Sequence, residues 1–208
     1  MALPAYFNTL ANTRQPLADV RRFLREARRL DTLRHVTRVA AVGRRLARRF
    51  QLSLAQSNLP CTAHDLAAVV PARSIVDAAE DLGLDLTPAD YAIPQVVHGP
   101  VAAAVLNQAL QVDDQAVLDA VAYHTTLRAG AAPLEQLVFI ADKLAYDPTT
   151  LAVGFHPRLM EARDTASLAE LCWNYLDWAV REGPRLGWRL HPNLVAAEAE
   201  LRPTRARP

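Results

Sequence analysis

The sequence predicts an all-α fold. Alanine and leucine dominate an apolar content of 51%, glycine is sparse at 7 of 208 residues, and β-branched runs are short. That balance favours helix over strand. Apolar residues recur at three- and four-residue spacing in segment after segment. Helix-starting residues (Ser, Thr, Asp, Pro) stand where several of these segments begin.

Residues 1–16 read as an irregular segment broken by Pro4, Asn8, Asn12 and Pro16. A helix begins near Leu17, with Leu17, Val20, Phe23, Leu24 and Ala27 on one face. Asp31 or Thr32 is expected to cap the next helix, which runs to about Phe50. That helix sets a stripe of Val36, Val39, Val42 and Leu46 against a basic face of Arg38, Arg44, Arg45, Arg48 and Arg49, read as a solvated surface. Ser53 caps a third helix, expected to carry His64 and Asp65 toward Val70. Pro71 opens the following helix, where its missing N–H costs nothing, and Gly83 ends it. Residues 84–97 read as a connection. His98-Gly99-Pro100 introduces a helix through Val101 to Leu110. Asp113 or Asp114 starts another, which ends near His124-Thr125-Thr126. After a loop, Pro133 leads into Leu134 to Leu144, which contains Asp142. An aromatic-rich helix, Leu168 to Arg181, carries Trp173 and Trp178 and reads as core. A short last helix runs from Pro192 to Leu201. The expectation is one helical domain over residues 17–202 and a frayed tail over 203–208.

A formal net charge of +1 argues against a nucleic-acid binder, which is usually strongly basic. No apolar run is long enough to span a membrane, and no signal peptide is visible. Cys61 and Cys172 match no metal or redox spacing. A reduced, cytoplasmic protein is the simplest expectation. Arginine supplies nearly all the positive charge, and Lys143 is the only lysine.

The chemistry-bearing residues begin with His64-Asp65, a histidine beside an aspartate in a small, apolar run. An ionised aspartate is rarely buried unless it is paired or binds a metal. His35, His98, His124 and Asp142 each lie in or beside another helix-like segment and could join it. Imidazole nitrogen and carboxylate oxygen together suit iron, manganese, zinc or a similar divalent ion. His156 and His191, each next to a proline, are expected to be structural. No glycine-rich phosphate loop, serine nucleophile motif or His-Glu-x-x-His pattern competes.

Five ordered motifs carry a resemblance. They are His35-Val36-Thr37-Arg38-Val39-Ala40, Ala63-His64-Asp65-Leu66-Ala67, Val97-His98-Gly99-Pro100-Val101-Ala102-Ala103, Tyr123-His124-Thr125-Thr126 and Ile140-Ala141-Asp142. The sequence resembles the HD phosphohydrolase superfamily and, within it, the YqeK family of symmetrical bis(5′-nucleosyl)-tetraphosphatases. The resemblance covers about Leu33 to Asp142 and resumes weakly at Leu190-His191-Pro192-Asn193-Leu194. It implies an HD-domain helical bundle with one metal centre. His35, His64, Asp65 and Asp142 would be the ligands, and iron the first expectation, with manganese or cobalt as alternatives. It also implies that His98, His124 and Thr125 face the nucleotide phosphates, with His98, His124 and Asp65 as the catalytic set. The implied reaction cleaves diadenosine tetraphosphate to two ADP. The implied partner is a nucleotide substrate, with no nucleic acid and no membrane, and a homodimer stays open.

The chain departs from the family pattern at three places. Thr32 stands where the family has an arginine before the first histidine. Ala68 stands where it has a lysine or arginine after the His-Asp pair. Lys143-Leu144-Ala145-Tyr146-Asp147-Pro148-Thr149 replaces Glu-Pro-x-Arg after the late aspartate. Arg34, Arg38, Arg73, Arg128 or Lys143 could supply the missing charge, with Arg128 the expected substrate contact because it is closest in sequence to His124. Two alternatives stay open: an HD phosphohydrolase acting on another nucleotide or a phosphomonoester, and a nucleotide-binding HD protein without turnover.

Overall fold

The computed structural model describes residues 3–145 and 157–203. They form eleven α-helices and, among the described residues, no strand. The helices are α1 (Pro16–Glu26), α2 (Leu30–Arg49), α3 (Leu54–Ala63), α4 (Ile75–Asp81), α5 (Pro88–Ala92), α6 (His98–Leu110), α7 (Gln115–Ala122), α8 (Pro133–Leu144), α9 (Pro157–Ala162), α10 (Leu168–Glu182) and α11 (Pro192–Leu201). The all-α expectation holds. No helix among the described residues is long and apolar enough to cross a membrane. Of the stretch that departs from the family pattern, Tyr146 to Thr149 lie outside the described residues, as do His156 and nearly all of the 203–208 tail.

The capping expectations hold where a side chain reaches the first turn. Ser53 accepts from the Gln56 N–H at 3.2 Å, and Asp114 from the Ala116 N–H at 3.0 Å. Helix α2 instead starts at Leu30 without a side-chain cap, so neither Asp31 nor Thr32 serves. The expected connection over 84–97 contains α5, started by a capping box between Thr87 and Asp90 with Pro88 at the first position, where its missing N–H goes unused. Pro71 precedes a 3-10 turn, Ala72–Ser74, and α4 begins only at Ile75. The N-terminal segment includes the 3-10 turn Ala5–Phe7, and buried Phe7 packs on Phe23 with ring centroids 6.0 Å apart.

The correction that matters most for the site concerns α3. It ends at Ala63; His64 caps it, Asp65 leaves helical geometry at φ −99° and ψ 20°, and a 3-10 turn follows over Leu66–Val69. The chain thus bends where the His-Asp pair stands.

Two apolar clusters form the core. One gathers Val20, Phe23, Val36, Leu66, Val101, Leu106 and Val121. The other gathers Val39, Leu46, Leu137, Phe139, Ile140, Leu171 and Leu176. Helix α2 supplies residues to both, because its apolar stripe is wide enough to face two ways. The basic face of α2 is only partly solvent. Arg45 and Arg48 are exposed, whereas Arg38 donates to the Ala145 carbonyl at 3.3 Å and Arg49 to the Arg163 carbonyl at 2.5 Å. The aromatic C-terminal helix is core, as expected: Tyr175 is buried against Phe139 at 5.5 Å, and Trp178 packs on Trp188 at 5.6 Å.

Candidate metal centre

The bend after α3 turns the His64 and Asp65 side chains toward helices from both clusters. His64 is fully buried; its Nδ1 lies 3.1 Å from the Cys61 carbonyl, a contact only an N–H can make. In the neutral ring that leaves the lone pair on Nε2. His64 Nε2 lies 3.3 Å from His35 Nε2. It is 3.6 Å from both Asp142 Oδ1 and Asp65 Oδ2. His35 Nε2 lies 2.9 Å from Asp142 Oδ1 and 3.7 Å from Asp65 Oδ2. Four ligand-type atoms from α2, the α3 bend and α8 therefore converge, and His35, His64 and Asp142 satisfy the spacing of a shared cation.

The second oxygen of Asp65 faces the other way. Asp65 Oδ1 lies 3.3 Å from His98 Nε2 and 3.7 Å from His124 Nε2, and those two nitrogens are 3.0 Å apart. Each ring is anchored through Nδ1 on a backbone carbonyl, Gln95 at 2.5 Å for His98 and Val121 at 2.8 Å for His124. Gly99 brings the pair together. A Cβ there would sit 2.5 Å from the Ala122 carbonyl oxygen, so only glycine lets the start of α6 meet the end of α7 this closely. Thr125 Oγ1 lies 3.1 Å from His124 Nε2.

Charge follows burial and neighbours. Burial works against the Asp65 carboxylate, but the imidazoles of His64, His98 and His124 outweigh it and hold Asp65 far below the usual carboxylate range. Burial likewise opposes ionisation of Asp142, and Lys143, then His35 and His64, overcome it and keep its pKa well below the ordinary value. Burial would discharge His64, yet Asp65 and Asp142 raise its pKa. At His124 burial is reinforced by His64 and His98, and the pKa falls well below the ordinary imidazole value. Behind the site the Cys61 thiol is pushed up to about 12, by burial and then by Asp142 against the pull of Arg44; it is protonated and inert as a nucleophile.

The structure thus brings together His35, His64, Asp65, His98, His124, Thr125 and Asp142. It does not bring Arg128 to them. The Arg128 guanidinium donates to Glu135 at 2.8 and 3.1 Å and to Asp119 at 2.7 Å, and it stacks on the Tyr123 ring at 4.2 Å. Its donors are taken up by two carboxylates, so proximity in sequence to His124 does not make it a neighbour of the cluster. Arg34 pairs with Asp31 on the surface. From sequence, Lys143 is a candidate phosphate cation. Its buried ammonium instead donates to Asp142 Oδ2 at 2.7 Å and to the His124 carbonyl at 3.2 Å, over the Phe139 ring. Its place directly after an aspartate on a buried helix was the available signal. His191 is structural: its Nδ1 accepts from the Asn193 N–H at 3.2 Å, capping α11, and its Nε2 lies 3.4 Å from Asp90. A cavity of about 960 Å³ is lined by Leu84, Ala103, Asn107, Asp119, Tyr123 and His191 among others, and by none of the six histidine and aspartate side chains of the cluster. We place the chemistry at the cluster, because cavity size without convergent reactive groups identifies no reaction.

Such a donor set of imidazole nitrogens and carboxylate oxygens fits a divalent metal. The rings of His64, His98 and His124 are anchored through Nδ1, which turns Nε2 into the cluster, and both carboxylates are held ionised, an arrangement suited to ligation. The model of the HD domain matches residues 32–147, more than half of the chain. The symmetrical bis(5′-nucleosyl)-tetraphosphatase of Bacillus subtilis (strain 168) is 29% identical over 133 residues, 63% of this chain and 68% of the relative. The protein of the same name from Staphylococcus aureus is 44% identical over 48 residues, 23% of this chain and 25% of the relative. A crystal structure from Clostridium acetobutylicum, described as a predicted HD superfamily hydrolase involved in NAD metabolism, superimposes with a TM-score of 0.72. It is 25% identical, and the match covers 80% of this chain and 86% of that one. With the histidine of α2, the His-Asp bend and the aspartate of α8 all inside the matched span, the chain belongs to the HD domain family of metal-dependent phosphohydrolases.

Proposed function

We propose that the protein hydrolyses dinucleoside tetraphosphates, cleaving diadenosine tetraphosphate symmetrically to two ADP with a metal-activated water. The observation that carries this reading is the convergence of His35, His64, Asp65 and Asp142 beside a second, outward group of His98, His124 and Thr125. Relatives named for this activity support the choice of substrate.

His35, His64, Asp65 and Asp142 would hold the cation. A divalent metal here would lower the pKa of a bound water and polarise a phosphoryl oxygen. Asp65 sits between the two groups with its carboxylate ionised, where it can orient the attacking water by accepting a hydrogen bond from it. His98 and Thr125 are the half-buried members of the outward group, and His124 is buried behind them; a phosphate chain would approach from the side of the first two. The start of α6 adds backbone N–H groups at the positive end of a helix. His64, buried and tied to the Cys61 carbonyl, keeps its ring from turning.

One observation favours a second reading, an HD phosphohydrolase acting on a less charged nucleotide or a phosphomonoester. Phosphoryl transfer relies on cations near the chain. Here Arg128 is engaged by Glu135 and Asp119, and Lys143 by Asp142, while Thr32 and Ala68 bring no charge. The same assay separates the two. Metal-loaded protein is offered diadenosine tetraphosphate and a panel of mononucleotides in oxygen-18 water. Labelled ADP as the sole product from diadenosine tetraphosphate supports the proposal. AMP plus ATP rejects the symmetrical mechanism, and turnover confined to mononucleotides selects the second reading.

A further inference from the structure

We propose that the cavity of about 960 Å³ is a second ligand site, which takes a neutral aminopurine ring of the adenine kind between Asp90 and His191. This site goes beyond the metal centre and does not depend on the substrate proposed there.

The cavity lies behind the cluster. Pro100, Ala103, Ala104 and Asn107 are the α6 side of its wall. At about 100° per residue they stand about 140–240° around the helix from His98. Val101, Ala102 and Leu106, on the His98 side, are buried in the core instead. Helix α7 closes the cavity with Gln115, Leu118 and Ala122, α5 contributes Asp90, and the cap of α11 contributes His191. A ligand here meets none of the side chains that would hold metal.

One hydrogen at the cavity wall lacks an acceptor. His191 Nδ1 accepts the Asn193 N–H at 3.2 Å, so in the neutral ring the proton sits on Nε2. His191 is 7% exposed, and its Nε2 is buried without a hydrogen-bond partner. Asp90 Oδ1 stands 3.4 Å away but does not take up the N–H. A buried donor left unpaired is costly, and a native fold that keeps one has a use for it. Asp90 has acceptor capacity to spare at the same place. The bonds it receives from the Thr87 N–H at 2.8 Å and the Thr87 hydroxyl at 2.6 Å both end on Oδ2, which leaves Oδ1 beside His191.

A donor and an acceptor side by side match a ligand edge that carries an acceptor beside a donor. The ring nitrogen and neighbouring amino group of adenine form such an edge. The nitrogen accepts from His191 Nε2–H, and the amino group donates to Asp90 Oδ1. The rest of the wall selects the same class. Asp85, Asp90 and Asp119 line the cavity and, among the described residues, no lysine or arginine does, a field that repels phosphate and other anions. An ammonium ion would suit the carboxylates but would set its hydrogens against the His191 N–H. Leu84, Leu86, Ala103 and Leu118 give apolar walls for a flat ring, and the exposed amides of Asn107, Gln108 and Gln115 are suited to ribose hydroxyls. The volume falls within the range of about 300–1,000 Å³ common for small-molecule pockets.

The test is calorimetric titration of the whole chain with adenosine. Wild type should bind one molecule. Purine riboside lacks the amino group and should bind about tenfold more weakly, the loss expected when a hydrogen bond to a charged group is forfeited. AMP, whose phosphate meets the carboxylates, should bind more weakly as well. Ala104→Phe fills the cavity from a half-buried position. His191→Asn keeps a capping side chain for α11 but withdraws the ring N–H. Both should weaken adenosine about tenfold or more, whereas His98→Ala, across α6, should leave it unchanged. Circular dichroism checks each fold, and Ala104→Phe carries the test if His191→Asn does not fold. No binding of adenosine up to its solubility limit, or equal affinity for adenosine and purine riboside, overturns the proposal. Binding kept in Ala104→Phe but lost in His98→Ala overturns it too, by placing adenosine at the metal cluster. A chain that binds adenosine as described and leaves diadenosine tetraphosphate intact would refute the proposed substrate and leave this site standing.

Discussion

Replacing Lys143 by methionine removes an ammonium and keeps the length of the side chain. Lys143 and Asp142 are both more than nine-tenths buried, and their atoms are 2.7 Å apart. The substitution strands an ionised carboxylate in the interior and also frees the His124 carbonyl, which Lys143 reaches at 3.2 Å. Breaking a buried pair from one side costs about 3–5 kcal/mol. The lower end applies here, about 3 kcal/mol, because His35 still holds Asp142 Oδ1 at 2.9 Å. For a chain of this size 1 kcal/mol shifts the melting temperature by about 2–4 °C, so the metal-free variant should melt about 6–12 °C below wild type. A cation on Asp142 replaces the lost positive charge, so saturating Mn2+ should narrow that gap. Lys143→Arg, which keeps the charge, should lie between the two. Calorimetry of metal-free and Mn2+-loaded proteins reads all of this. A metal-free Lys143→Met protein melting within 2 °C of wild type would refute the argument, as would a gap that Mn2+ leaves unchanged.

Two further outcomes follow from ion pairs elsewhere. Arg128→Ala should cost about 2–3 kcal/mol in denaturant unfolding, because it strands Glu135, whose side chain is 3% exposed, and charge-assisted hydrogen bonds carry that much; a fall in turnover at unchanged stability would instead put Arg128 on the substrate. Asp19 accepts from the Thr13 N–H and hydroxyl and from Arg22. Burial opposes its charge, but these donors prevail and lower its pKa below the ordinary 3.8. A depressed acid contributes stability that is present above its unfolded pKa and lost as pH falls through the folded one. Asp19→Asn should therefore narrow its deficit against wild type as pH drops below about 4, and a deficit constant from pH 7 to pH 3 would contradict the assignment.

The parts of the fold set by local chemistry could be read before any coordinates. Ser53 and Asp114 cap their helices because a side-chain oxygen reaches the first turn whatever lies beyond. The capping box at Thr87-Pro88-Ala89-Asp90 was equally local, but a five-residue helix leaves too little periodicity to distinguish it from a loop. The bend after Ala63 was not legible. Thr62-Ala63-His64-Asp65-Leu66-Ala67 contains no breaker, and the helix stops there in the setting of side chains from four other elements that meet His64 and Asp65. Arg128 and Lys143 illustrate the same limit at the site. Sequence placed each beside a cluster residue, whereas the direction each side chain takes depends on Asp119 and Glu135 in one case and on Asp142 and two aromatic rings in the other.

The division of the interior into two apolar clusters gives the centre a mechanical role. His98 stands at the head of α6, whose Val101 and Leu106 belong to one cluster, and Asp142 lies on α8 among Phe139 and Ile140 of the other. Asp65, at the bend between them, contacts histidines of both groups. A cation held at this bend would tie together two halves that also share α2, α3 and α7, and ligands that bind only the folded state raise the free energy of every opening that breaks their site. Amide exchange should then report two separately opening units in chelated protein, with α4 and α6 exchanging at one free energy and α8 and α10 at another. Added Mn2+ should merge them into one cooperative unit, so that metal loading would also set how the chain resists proteolysis.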